Sequence, residues 1–335
     1  AVAAYGARAA ASHQRIGSLL GALQPPGAAT PNLASVWEAP SVNGSSPLIL
    51  RRYAELAGMR QDGGITHAEL EPANRALDVL ATRYLMAPRA VREGTPTSSR
   101  AGMRWGEDVG VLLGSACGGP HPEAVELAAP DAPTTAIGLV TSLGCSAGVP
   151  DGSEVARVTL TTAAGDTIAF PLRAGVETAE QAWERSDVRA SVAHRQPEVF
   201  VRLPVTDPSG RPSYESVRYV TRIPLHAPAA VRRIRIERVG PPASVVVHHV
   251  SLEDGAPGRT YAVSRVGTAL EASGRWRHLG DVGDNAVYGN ARAMPRAWLA
   301  REALRLPPEA VLAAVRTSVL PDGSPFDPSR TALVD

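Results

Sequence analysis

The central part of the chain, residues 97–265, alternates short apolar segments with turns. The segments are rich in β-branched residues, often alternate apolar with polar positions, and are separated by Pro, Gly and Asp. This spacing predicts an antiparallel sandwich of the jelly-roll kind. Arg232 and Arg233 break the alternation in the sixth segment and predict a β-bulge there. The segments are IGLVTSLG, EVARVTLTT, DTIAFPLR, EVFVRLPV, SVRYVTRIPL, VRRIRIERV and SVVVHHVSL.

The two flanks combine helical patterns with short apolar runs. Ile16, Leu19 and Leu23 stand three and four residues apart, which predicts one apolar face of an amphipathic helix. Prolines open several other candidate helices, where a missing N–H is tolerated. The pattern predicts helices over 7–23, 48–57, 72–80 and 307–319, and short buried strands over 83–87 and 297–300.

These patterns together predict an α+β protein. A jelly-roll-like β-sandwich, resembling a carbohydrate-binding module, would be inserted into or packed on a small α/β unit formed by both chain ends. The predicted boundaries are 1–96 for the first part of the α/β unit, 97–265 for the sandwich and 266–335 for the return to the α/β unit.

Composition excludes several classes of function. The chain has 335 residues, with 34 Lys+Arg against 33 Asp+Glu and a net charge of +1, which argues against a nucleic-acid partner. Every basic residue is arginine, so a phosphate-binding P-loop lysine and a Schiff-base lysine are both excluded. A hydrophobic content of 44% excludes a disordered chain, and no apolar run approaches the roughly 18 residues of a transmembrane helix.

The motifs that most resemble catalytic or metal sites have simpler explanations. Gly144–Gly148 fits the G-x-S-x-G pattern, but a turn and a strand follow Ser146 where a nucleophile elbow needs a helix. His248 and His249 are adjacent in a strand and would point to opposite faces, so they would not share a metal ion. We therefore predict no catalytic residue, no metal and no cofactor. Cys117 and Cys145 are compatible either with one disulfide or with two buried thiols.

Two clusters of residues have the composition of a sugar-binding site. Sugars are commonly held by aromatic faces together with carboxylate, amide or guanidinium groups. The alternative is that Tyr53 and Trp183 are anchors between the two predicted domains. The candidate binding residues are Asn43, Arg51, Arg52 and Tyr53 in the first cluster, and Arg173, Glu177, Glu180 and Trp183 in the second.

Both clusters lie within a series of four motifs whose order along the chain matches that of a known family. The series is NGSSPLILRRYAEL, NRALDVLATRYLMAPR, FPLRAGVETAEQAWERSDV and YGNARAMPRAWLA, and it runs from about residue 40 to 330. In this order the chain resembles the extracytoplasmic region of YfhO-like bacterial membrane proteins, which are similar to C-type membrane glycosyltransferases. The family usually continues past the last helix predicted here into a further strand and a closing hydrophobic segment, so this chain is expected to be either a portion of a longer protein or a shortened relative.

The resemblance implies a function outside the cytoplasm. The expected role is an accessory module of a membrane glycosyltransferase that positions a cell-envelope glycan acceptor or product, with catalysis in the transmembrane portion of the parent chain. The expected partners are a glycan or glycolipid and that transmembrane portion. The alternative is a purely structural or protein-interaction domain of a bacterial membrane protein, whose surface would show apolar patches rather than a polar groove.

Overall fold

A computed structural model of the protein describes residues 2–19, 38–44, 50–60, 63–96, 98–106, 109–119, 121–207, 209–255, 259–272 and 274–335. The chain divides into two compact units. The terminal unit comprises Ala1–Arg92 and Ala269–Asp335, and the central unit comprises Glu93–Thr268.

Strands dominate the described residues, which agrees with an α+β class rich in antiparallel sheet. The helices are α1 (Val2–Ala11), α2 (Arg51–Leu56), α3 (Ala76–Val79), α4 (Arg89–Glu93), α5 (Ser186–Arg189), α6 (Arg265–Ala272) and α7 (Pro308–Thr317). The strands are β1 (Arg15–Ser18), β2 (Thr82–Pro88), β3 (Ser98–Arg100), β4 (Met103–Trp105), β5 (Val111–Leu113), β6 (Ala124–Gly144), β7 (Glu154–Thr162), β8 (Thr167–Arg173), β9 (Val199–Thr206), β10 (Pro212–Arg238), β11 (Ser244–Glu253), β12 (Thr260–Val263), β13 (Trp276–Val282), β14 (Asn285–Asn290), β15 (Glu302–Arg305) and β16 (Thr331–Val334).

The central unit is built on one curled antiparallel sheet. The strand order is β12-β11-β6-β10-β7-β8, with β5 added to β11 and β9 added to β10. The two longest strands, β6 and β10, pair with each other along both of their halves. The first half of β10 also pairs with β9 and its second half with β7. The sheet therefore has two halves that share both long strands. One half contains β9, β11, the first half of β10 and the second half of β6, and the other contains β7, β8, the second half of β10 and the first half of β6.

The apolar core of the central unit draws on both parts of this sheet. Alternating positions of β7 and of the second half of β10 point inward, as expected for strands with one buried and one solvated face, whereas the second half of β6 and most of β11 are buried at consecutive positions. Polar residues, many of them arginine, occupy the other positions of β7 and the second half of β10. The buried cluster includes Leu127, Ile137, Leu139, Val158, Leu160, Leu172, Ile234, Ile236, Val245 and Val250.

All seven predicted segments lie in strands of the central unit, but β3, β4, β5, β12 and the first part of β6 were not predicted, and the connectivity of two segments was wrong. SVRYVTRIPL and VRRIRIERV were expected as two strands, but they form the single strand β10. The register on β6 shifts between Pro224 and Ala229, so the prolines that suggested a turn lie in an irregular stretch of one continuous strand. The predicted bulge is confirmed by a register shift between Val231 and Arg233.

The terminal unit contains a four-stranded sheet of order β1-β2-β14-β13. Strands β1 and β2 are parallel, and the other pairs are antiparallel. The predicted helix over 7–23 is wrong over residues 12–19, because α1 ends at Ala11 and Ile16 lies in β1, and residues 20–23 of that prediction lie outside the described residues. Residues Ile16–Ser18 are all buried. This strand has only four residues and Ile16 is its one large apolar side chain, so the spacing of Ile16 and Leu19 does not distinguish it from a helical stripe.

The end of the chain forms a small βαβ unit. Strands β15 and β16 are parallel and are connected through α7. Helix α7 opens at Pro308 and ends before Ser318, which adopts a left-handed conformation with φ of 58°. The strand predicted over 297–300 is wrong, because the pairing begins at Glu302. No helix among the described residues is long and apolar enough to cross a membrane.

Candidate functional site

A groove in the terminal unit contains two of the predicted binding residues, Arg51 and Arg52. It has a volume of about 600 Å³ and lies between α2, α7 and the end of β16. Apolar side chains from all three elements line it together with charged groups. We call it the α2–α7 groove, and it is lined by Arg51, Arg52, Glu55, Leu56, Pro308, Glu309, Val311, Leu312, Leu333 and Asp335.

The two arginines of the groove are held by weak, exposed ion pairs. Arg51 Nε lies 2.7 Å from Glu55 Oε1 one helical turn away, and this bond raises the pKa of Arg51. Arg52 pairs with Asp335. The Arg51 and Arg52 side chains are 90% and 74% exposed, so solvent screens both pairs. A ligand with hydroxyl or anionic groups could replace these partners at little cost.

A second cavity of about 480 Å³ shares Arg51 and Glu55 with the groove. Its lining also includes Glu69, which is only 1% exposed and whose pKa is raised chiefly by burial. Glu69 Oε2 accepts a hydrogen bond of 2.8 Å from Asn74 Nδ2. Gly58 packs against the same carboxylate with φ of +58°, and a Cβ there would stand 2.2 Å from Glu69 Oε1.

Asn43 and Tyr53, the other members of the first cluster, form internal bonds. Asn43 is 5% exposed; its amide group donates to Ser18 O at 2.9 Å and to Gly63 O at 2.7 Å, and accepts from Ser18 N at 3.0 Å. Tyr53 Oη donates to Val42 O at 2.6 Å. The Tyr53 bond joins α2 to the segment before it, and the Asn43 bonds join that segment to β1 and to Gly63, so both side chains are used in internal contacts.

Arg173 and Glu177 form a pair within the central unit. Arg173 NH2 donates to Glu177 Oε1 at 2.6 Å, while its Nε and its backbone N–H donate to Glu177 Oε2 at 3.2 and 2.8 Å. Glu177 is 9% exposed, whereas the Arg173 side chain is 44% exposed. The guanidinium is therefore the accessible half of this pair.

Glu180 is buried in a hydrogen-bonded cluster that ties two loops together. Its Oε2 accepts from Ser146 N at 2.8 Å and from Ser146 Oγ at 2.9 Å, and its Oε1 accepts from Ala182 N at 3.1 Å. Glu180 is 4% exposed and Ser146 is 0% exposed. The carboxylate faces the interior of the unit, and the Ser146 hydroxyl is used to hold the loop.

Trp183 packs beside this cluster. Its ring meets His194 edge-on at 5.8 Å between ring centroids and packs against the buried group of Ala179, Val217 and Tyr219. His194 Nε2 accepts from Glu180 N at 3.2 Å, and its Nδ1 lies 2.9 Å from Val149 O. The indole is partly exposed. Trp183 and Glu180 thus lie together, with the aromatic ring nearer to solvent.

The structure resolves the alternatives for the cysteines in favour of a disulfide. Cys117 and Cys145 are joined with a Cα–Cα distance of 5.4 Å. Both residues are exposed, and the bond links the loop after β5 to the end of β6. Cys117 N donates to Ser244 Oγ at 3.1 Å, which fixes the same loop to β11.

A buried ion cluster in the terminal unit was not predicted. Asp78 Oδ1 lies 2.7 Å from Arg275 NH2, and both side chains are buried, at 1% and 0% exposure. Asp78 Oδ2 accepts from Arg292 Nε at 3.0 Å, and Asn290 Nδ2 donates to Asp78 Oδ1 at 2.9 Å. Burial lowers the pKa of Arg275 to about 10. The only signal in the sequence is that Asp78, Asn290 and Arg292 all belong to the quoted motifs.

No group of three or more potential metal ligands occurs within the described ranges of the chain. Among known proteins, neither a family model nor a curated protein matches this chain. The site is therefore interpreted from its own geometry.

Proposed function

We propose that this chain is an extracytoplasmic accessory module of a membrane glycosyltransferase that binds or positions a cell-envelope glycan acceptor or product. The α2–α7 groove carries the proposal. Its exposed guanidiniums and carboxylates can hydrogen-bond sugar hydroxyls, and its apolar side chains can contact the C–H faces of the rings. Catalysis is assigned to the transmembrane portion of the parent chain.

The disulfide supports the proposed location. Disulfides persist in oxidising compartments and are rare in the cytosol of mesophiles. An exposed Cys117–Cys145 bond fits a protein that functions outside the cytoplasm. We further propose that the curled sheet is a jelly-roll sandwich of the carbohydrate-binding kind, in agreement with its antiparallel order and the large buried cluster shared by its strands.

Titration with purified envelope polysaccharides and lipid-linked oligosaccharides tests the glycan role. We expect saturable binding, weakened about tenfold by the double substitution Arg51→Gln and Arg52→Gln, because each guanidinium contributes roughly one charge-assisted bond. Arg189→Gln, an exposed arginine of the central unit, is the matched control. Trp183→Ala tests the second cluster separately. An absence of binding to every polysaccharide and oligosaccharide would refute the glycan role.

The alternative function is a structural or protein-interaction domain, and the buried ion cluster favours it. Asp78, Asn290 and Arg292 come from the motifs behind the family resemblance, yet they bond to each other inside the terminal unit. Motif residues that bond to one another in the interior stabilise the fold and do not contact a ligand. Loss of association with the transmembrane portion of the parent chain in the groove variants, without any glycan binding, would support this second function.

A further inference from the structure

An exposed apolar pair interrupts the polar surface of the terminal unit. Leu299 is 97% exposed and the adjacent Trp298 is 38% exposed. Both precede β15 in a segment without regular secondary structure. A leucine with almost its whole side chain in water contributes no buried area to folding, and beside the exposed face of Trp298 it forms a small apolar patch that can contact another surface.

The pair is held in place by the neighbouring loop. Trp298 Nε1 donates to Pro328 O at 2.8 Å, and Arg301 N donates to Arg330 O at 2.9 Å. The segment is thereby fixed at both ends of the apolar pair. The indole N–H is satisfied within the protein while 38% of the residue is exposed, so the ring can contact another apolar surface without leaving a donor unpaired.

Arginines flank the apolar pair on both sides. Arg296 and Arg301 are exposed, and neither guanidinium forms an ion pair within the part of the chain that the structure describes. Arg330, also exposed, adds a third positive charge from the neighbouring loop. Two carboxylates lie in the same segments, those of Glu302 and Asp327, and Asp327 is bonded to Ser329. The patch therefore has a small positive excess.

We propose that this patch, residues 296–301 with Arg330, docks on the surface of a bilayer that contains anionic phospholipid. Leu299 would enter the acyl boundary, Trp298 would lie at the headgroup level and the arginines would contact phosphates. Charge complementarity selects an anionic lipid surface over a neutral one. The proposal does not depend on glycan binding, which is assigned to the α2–α7 groove.

Vesicle sedimentation of the complete 335-residue chain tests the proposal. We expect the protein to sediment with vesicles of phosphatidylcholine and phosphatidylglycerol, to remain in solution with phosphatidylcholine alone, and to dissociate as salt increases. Leu299→Asp should weaken binding about tenfold or more, since it removes the inserted side chain. Arg296→Gln with Arg301→Gln should also weaken it about tenfold, at roughly one salt-sensitive contact each.

Two further measurements separate docking from non-specific attraction. Brominated lipids should quench part of the tryptophan fluorescence of the unmodified chain, and Trp298→Phe should remove that quenching while binding persists. The control Leu203→Asp changes an exposed leucine of the central unit and should leave sedimentation unchanged. Circular dichroism should show both leucine variants folded.

Several results would overturn the proposal. They are an absence of sedimentation, equal sedimentation with neutral vesicles, an equal loss in the Leu203→Asp control, or quenching that survives Trp298→Phe. Retention on an envelope polysaccharide that is lost in Leu299→Asp, without any binding to vesicles, would assign the patch to a glycan instead.

Discussion

The buried Asp78–Arg275 pair makes the stability of the terminal unit sensitive to one carboxylate. Substitution of Asp78 by Asn keeps the side-chain volume but removes the negative charge. The Arg275 guanidinium is 0% exposed, so no solvent can replace the lost partner. Removing one member of a buried ion pair costs about 3–5 kcal/mol. We expect Asp78→Asn to fall at the lower end, about 3 kcal/mol, because Asn retains one acceptor for Asn290 or Arg292.

The same geometry predicts smaller effects at the edge of the cluster. Arg292 is 27% exposed at its side chain, so Arg292→Gln should cost only about 1 kcal/mol. Arg75 NH1 lies 3.6 Å from Asp78 Oδ2 and its side chain is 30% exposed, which makes Arg75→Gln the matched control at less than about 1 kcal/mol. Adding Arg275→Gln to Asp78→Asn should recover part of the loss, since neither buried charge then remains.

Urea unfolding followed by hydrogen exchange and mass spectrometry measures each unit separately. The free energy of unfolding of the terminal unit is extrapolated linearly to zero urea from the exchange of peptides within residues 69–92 and 274–292. Peptides of the central unit provide the internal reference. A loss below about 1 kcal/mol in Asp78→Asn would refute the reasoning. So would an equal loss of protection in the central unit.

Three further predictions follow from individual contacts. Cys117→Ala opens the disulfide, whose sequence separation is 28, and should cost the central unit about 3–4 kcal/mol in urea unfolding; an unchanged midpoint would contradict this. Gly58→Ala should cost about 2 kcal/mol or more, because the new Cβ meets Glu69, whereas Gly274→Ala has open space at a similar φ and should cost about 1 kcal/mol. Burial raises the pKa of Tyr288 to about 12, above its unfolded value near 10, so about 2 kcal/mol of stability should be lost as pH rises from 10 to 12. The loss should be absent in Tyr288→Phe. A spectrophotometric titration of this variant should show one fewer tyrosine that ionises above pH 10.

Most longer strands of the central unit could be predicted because each carries its own β-branched run or alternation of apolar and polar residues, whereas β3, β4, β5 and β12 are too short to show either pattern. The continuity of β10 could not, because Pro224 and Pro228 have the local composition of a turn. Their irregular stretch is tolerated only because β6 supplies pairing on both sides of it. That pairing is a tertiary contact, and no window of the sequence contains it.

The candidate site shows the same limit at the level of side chains. Arg51 and Arg52 were predicted from a turn followed by a helix, and they line a groove. Glu180 was predicted from similar composition, but its burial is set by Ser146, which is 34 residues away. Arg275 was missed because its partner Asp78 is distant in the sequence and neither residue has an unusual neighbourhood. Residue type indicates what a side chain can bind, while its accessibility is decided by distant parts of the chain.

The continuity of β6 and β10 has a consequence for how the central unit folds. Because each strand takes part in both halves of the sheet, neither half can unfold without disrupting strands that the other half also uses. The unit should therefore unfold in one cooperative step and resist internal proteolysis until it does so. Its pairings join residues far apart in sequence, so we expect folding on the slow, millisecond-to-second side of the range for single domains.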